Sequence, residues 1–172
     1  MAVIEAIETV YLEADAASVT FSGIPTTYEH LQIRMSSRNT LASTTGNPTL
    51  EFNGTAGTAY SSHSMNAFNT TPDSDSSETG DASMLTPKQT TGATADAADF
   101  ASAIIDILDY RNANKNTTVM AISGSGITTA VPFVSFASGL FDDKTVITSI
   151  KLDSNGSWMR GSEFTLFGLA SS

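Results

Sequence analysis

The chain has 172 residues, a formal net charge of −10, a sequence pI near 4.3 and no cysteine. A single domain of this length buries about 70% of its unfolded-chain surface; the missing thiols exclude disulfides and thiolate metal sites, and the acidity argues against gripping a nucleic-acid phosphate backbone. Charged residues make up only 15%, against a usual share of about 25%, and the Ser, Thr, Asn and Gly in their place favour short strands and turns over surface helices.

No apolar run approaches the ~20 residues that span a bilayer. The acidic start, MAVIEAIETVYLEAD, lacks the basic segment and small-residue cleavage site of a secretory signal. A chain made in a cytoplasm, and leaving it if at all by a route other than that signal, cell lysis being one, is the expectation.

In chain order, Glu8–Leu12 reads as an early strand. Ser18–Ile24 puts Val19 and Phe21 on one face and breaks at Gly23, and after Pro25-Thr26-Thr27 comes Tyr28–Ser36, with Leu31, Ile33 and Met35 inward and Gln32, Arg34 and Ser36 outward. These two segments read as a hairpin. Asn39–Asn47 is a polar loop, Pro48 opens a short strand carrying Leu50 and Phe52, and Asn53-Gly54 is a turn signal. Ala59–Met65 is a weak strand anchored by Tyr60.

From Asn66 to Ala97 the chain turns to Ser, Thr and Asp, punctuated by Pro72, Gly80, Pro87 and Gly92, with Met84-Leu85 the one strong apolar pair. A structureless stretch this long is uncommon inside a domain, so it reads as an extended arm that orders on a partner, or as hiding a short strand near Ser83–Thr86. Phe100–Tyr110 is apolar on both faces, which predicts a central strand buried on each side, with helix as the alternative; β-branched Ile104, Ile105 and Ile107 favour strand. Thr117–Ser123 pairs with it across the turn at Arg111–Asn114. Val131–Leu140 alternates, and Pro132 suggests an edge. Thr145–Leu169 reads as a closing hairpin around Asn155-Gly156. Eight or more short strands without an internal repeat predict an all-β fold, an antiparallel β-sandwich of jelly-roll type with a long polar loop or arm.

Candidate chemistry is sparse. His30 and His63 are the only imidazoles and read as surface or hydrogen-bonded side chains, since no further ligands stand at metal-binding spacing. Asp73–Asp81 alternates oxygen ligands like the start of a calcium loop but lacks the glycine and the closing glutamate that the motif needs, so a solvated acidic loop is the default. Asp142-Asp143-Lys144 and Gly124-Ser125-Gly126 read as turns. Four Asn-x-Ser/Thr matches, at Asn53, Asn69, Asn116 and Asn155, carry no weight without a secretion signal. Asp106 and Asp109, as a carboxylate pair, would point to opposite faces of a strand. There is no nucleophile elbow and no phosphate-binding glycine loop. The reading is therefore not an enzyme: no catalytic, cofactor-binding or metal-binding residue is assigned. The single Trp158, beside Arg160, and Tyr60 are the candidate partner or glycan contacts, with burial of Trp158 at the end of the core as the competing reading.

Two stretches together resemble the small structural proteins of tailed bacteriophages. They are Phe21-Ser22-Gly23-Ile24-Pro25 followed by Tyr28-Glu29-His30-Leu31-Gln32-Ile33, and the ending Trp158, Gly161-Ser162, Phe164-Thr165-Leu166-Phe167-Gly168. The final aromatic is often tyrosine in such proteins and is Phe167 here. The resemblance covers the first and last thirds, leaves Asn39–Ala97 without a counterpart and carries no catalytic residue. It implies a virion component with a β-sandwich fold, made in a bacterial cytoplasm and assembling as a homotrimer. The expected function is a capsid decoration (cement) protein, a single domain over 1–172 that bridges major capsid protein or other virion proteins through segment 1–15 and arm 66–97. The alternative is a tail or fibre component that binds host glycans or adapts other virion parts.

Overall fold

The computed structural model describes residues 3–55, 57–81, 83–84, 87–126 and 132–170, with the backbone alone over 78–81. The chain is an all-β sandwich of two unequal antiparallel sheets. Its strands are β1 (Val3–Tyr11), β2 (Ala16–Ser22), β3 (His30–Ser37), β4 (Thr45–Gly46), β5 (Pro48–Phe52), β6 (Tyr60–Phe68), β7 (Thr71–Asp81), β8 (Thr90–Thr91), β9 (Ala101–Leu108), β10 (Thr117–Ser125), β11 (Phe133–Phe141), β12 (Ser149–Trp158) and β13 (Glu163–Ala170). The large sheet runs β1-β13-β3-β9-β10-β11-β6-β7, the small one β2-β12-β5, and β4 and β8 form a two-stranded ribbon.

Period-2 patterning sets the inward faces. In β3 Leu31, Ile33 and Met35 are buried, as expected, and Val19 and Phe21 of β2 likewise. They meet Leu50 and Phe52 of β5, Ile150, Leu152 and Trp158 of β12, and Phe164 and Leu166 of β13 in one core. At one end Phe52, Tyr60 and Phe141 form an aromatic cluster, with Tyr60 stacked on Phe141 at 5.0 Å between ring centres. Tyr60 brings its hydroxyl into the core with partners: it accepts from the Phe52 N–H at 2.8 Å and lies 3.3 Å from the Phe52 and Thr55 carbonyls. At the other end Trp158 packs edge-on against Phe164 at 5.1 Å and donates its indole N–H to the Leu152 carbonyl.

Alternation does not say which sheet a strand joins, and here the structure departs from the expected hairpins. β2 pairs β12 in the small sheet, whereas β3 pairs β13 and β9 in the large one, so 23–29 crosses between layers. The last two strands do not pair either. β12 lies in the small sheet and runs through Asn155-Gly156 with a register shift, and the chain changes layer at Met159–Ser162, where Gly161 takes φ +90. β11 is internal, between β10 and β6, with Pro132 just ahead of it; the proline-bearing edge of the large sheet is β7, where Pro72 is the second residue. Val131 lies outside the described residues. The Asn53-Gly54 turn is present, both residues at positive φ.

The segment expected as an arm is part of the fold. Residues Thr71–Asp81 pair with β6, and beyond them Met84 exchanges two 2.9 Å backbone hydrogen bonds with Leu50. Its side chain fills the space over Gly139, where an added Cβ would come within 2.1 Å of the sulfur. Lys88, Gln89, Thr90 and Thr91 are then buried although polar. Three strands cannot cover eight, so this segment covers the far half of the large sheet. That half is itself polar inside, with buried Ser64, Asn66, Ser123 and Ser135. Most of these groups have partners: Lys88 reaches Asp75 at 2.5 Å, the Gln89 amide N–H reaches Asn47 at 3.1 Å and Thr90 lies 2.7 Å from the Ser37 hydroxyl, whereas Ser123 Oγ and the Gln89 side-chain carbonyl have none among the described residues.

Arg38, 3% exposed, anchors the next turn. Its guanidinium donates to the carbonyls of Ala93 (3.1 Å), Ala95 (2.6 Å), Asp99 (3.1 Å) and Asp96, a ring of four backbone acceptors. The turn it gathers carries Ala95 into a small cluster with Ala101 and Phe133.

Candidate interaction surface

The solvent faces of the two sheets differ in kind. On the small sheet Lys151 lies 2.9 Å from Asp153 and 3.9 Å from Glu51, and its register neighbour across β2 is Thr20. This is an ordinary wet face. Bonding to Asp153, then its charge, raises the Lys151 pKa.

The large sheet presents the opposite. Ile104 of β9 stands beside Ile122 of β10, which stands beside Phe136 of β11, which stands beside Met65 of β6. All four are exposed, Ile122 by 48%, Phe136 by 49% and Met65 by 71%. Met120 and the exposed Val134 flank this row. Six side chains of roughly 200 Å2 each, about half exposed, present on the order of 600 Å2, at the top of the range for single patches on monomers. Phe100–Tyr110 was expected to be buried on both sides; β9 is central, but no described part of this chain covers its outer face.

The rim on the β3 side is polar and ordered. Arg34 continues the row beyond Ile104, with its guanidinium 5.2 Å above the Phe167 ring. It donates to Gln32 at 2.9 Å, and Gln32 donates to Asp106 at 2.8 Å. On the β7 side the row ends at Ser74, with His63 and Ser76 in the adjacent row.

Two of the expected contact residues are not on any surface. Trp158 and Tyr60 are both fully buried, because their rings fill the two ends of the core; this corrects their assignment as partner contacts. Burial drives the Tyr60 pKa up to about 12. Arg160 is exposed at the β12–β13 turn, where its backbone N–H donates to Asp15 at 2.8 Å. Segment 1–15 supplies the edge strand β1, with Val3, Ile4 and Tyr11 exposed.

The remaining candidates stay apart. His30 accepts the Asp109 N–H on its Nδ1 at 3.0 Å, and His63 is exposed on β6. Asp109 ion-pairs with Lys115 at 2.5 Å, whereas Asp106 bonds Gln32, so the two form no acid–base pair. Asp73–Asp81 is extended strand instead of a cation-wrapping loop. Among the described residues no three His, Asp or Glu side chains converge as a metal site.

The apolar row left a trace in the sequence: Phe100–Tyr110, Thr117–Ser123 and Phe133–Leu140 each carry large apolar residues at both parities. That pattern marks strands covered twice, but it does not say by what. No protein-family model, no curated protein and no solved structure matches this chain.

Proposed function

We propose that this chain is a structural component of a tailed-bacteriophage virion, a decoration protein that sits on the head, bridges capsid subunits and acts by adding buried interface. The observation that carries the assembly reading is the apolar row on the solvent face of the large sheet, too large and too well aligned for scattered surface apolar residues. The virion assignment draws on the resemblance at Phe21–Pro25, Tyr28–Ile33 and Trp158–Gly168. A glycan-binding tail component is less well supported, because burial of Trp158 and Tyr60 removes the aromatic contacts it would use.

The test is the copy number of this chain relative to the major capsid protein in purified virions, by quantitative peptide mass spectrometry. A ratio near one places it on the head lattice. A ratio tenfold or more lower moves it to the tail or a unique vertex. Absence from the particle refutes the virion reading.

A further inference from the structure

We infer that the apolar face of the large sheet closes against the same face of a second copy, about a two-fold axis that runs along the strands between β10 and β11. This rests on reading the face as an assembly surface and specifies its occupant.

Three observations select a second copy. The first is area: two faces of this size bury on the order of 1,200 Å2 together, the lower bound of specific stable interfaces. The second is charge. Copies of a chain with net charge −10 repel each other, so they can meet only where carboxylates are scarce. Between β3 and β7, the row Arg34–Ile104–Ile122–Phe136–Met65–Ser74 has none, and the adjacent row Gln32–Asp106–Met120–Ser138–His63–Ser76 has only Asp106.

The third is self-complementarity. The stated axis keeps each row opposite itself and exchanges β10 with β11, β9 with β6 and β3 with β7. Ile122 then meets the second copy's Phe136, Ile104 meets its Met65, and the lone carboxylate Asp106 meets its His63. Arg34 falls opposite Ser74, away from its own image. Sheets that pack face to face in this way lie about 10 Å apart with strands within about 30°. A two-fold across the strands would instead set Arg34 against Arg34.

The test uses the full chain, which has no native cysteine. Sedimentation velocity of the wild type should show a concentration-dependent dimer, and Phe136→Asp should weaken it by at least about tenfold. Unchanged Trp158 emission in that variant confirms the fold. In a His63→Cys/Asp106→Cys double variant, a short bis-maleimide should give covalent dimers in high yield. Either single variant should not, because like positions stand three strand spacings, about 14 Å, apart besides the gap between sheets.

A wild-type dimer or trimer that survives Phe136→Asp refutes the face. Cross-linking by a single-cysteine variant refutes the axis. A wild type that stays monomeric at hundred-micromolar concentration, while Phe136→Asp still blocks incorporation into virions, refutes self-pairing and leaves the assembly reading standing.

Discussion

Removing the Arg38 guanidinium should loosen one end of the molecule. In Arg38→Met four backbone carbonyls, those of Ala93, Ala95, Asp96 and Asp99, lose a charged donor at once. A hydrogen bond to a charged group contributes about 1.5–3 kcal/mol, but carbonyls in a surface turn recover some bonding from water. The expected loss is therefore about 3–5 kcal/mol, the range for breaking a buried charged network. For a domain of this size that lowers Tm by about 6–20 °C, within the usual stability of about 5–15 kcal/mol. Arg38→Lys should recover less than half, since an ammonium has only three donors, at one point, for four acceptors. Urea unfolding followed by the single tryptophan gives the global number. Amide exchange at Thr94, Ala95 and Asp99, whose N–H groups close the turn onto Ser43, Gly92 and Asp96, gives the local one. A loss under about 1 kcal/mol with those amides still protected would refute the view that the ring holds the turn.

Tyr60 should make the fold sensitive to alkali. Its folded pKa of about 12 lies above the unfolded value near 10, so the unfolded chain ionises first. Stability is full below pH 10 and falls as pH rises towards 12; absorbance at 295 nm should show Tyr60 titrating together with unfolding. The Lys88 hydrogen bond and charge hold Asp75 below the usual carboxylate range. Its contribution is present above about pH 4 and lost as pH falls. Asp75 is half exposed, so Asp75→Asn should cost about 1 kcal/mol at pH 7, and the gap from wild type should close in acid denaturation curves. Lys88→Met, which removes the buried cation, should cost no more than Asp75→Asn, which strands it. Gly168→Ala sets a Cβ within 2.3 Å of the Tyr28 ring and should cost about 1–3 kcal/mol, read by thermal melting, with loss of the Tyr28–Glu5 hydrogen bond.

What the sequence disclosed was parity. Leu31, Ile33 and Met35, or Val19 and Phe21, could be assigned to a core because alternation fixes a strand's inner face. It could not assign strands to layers: β2–β3 and β12–β13 look like hairpins in one dimension, and only three-dimensional packing shows that each pair parts at a corner. Polar burial was the second blind spot. Lys88–Thr91 reads as solvated, and its inclusion depends on Asp75, Asn47 and Ser37 being there to receive it. The candidate surface was half visible, since residues of both parities in β9, β10 and β11 announced two apolar faces. Trp158 follows the competing reading, burial at the end of the core, and Tyr60 is buried with it, because the polar groups of both find partners there, Leu152 and Phe52.

The pairing of β1 with β13 has a consequence for the order of events during synthesis. Thr9 and Thr165 touch across this ladder although 156 residues separate them. At about 5–20 residues per second, a ribosome spends roughly 10–30 s between making the first strand and making its partner. For that interval β1 has no ladder to join, and β3 lacks one of its two neighbours. The meander β9–β10–β11 closes locally and has no such wait. Ile104, Ile122 and Phe136 are thus all synthesised before β13, the strand on which the other flank of the sheet depends.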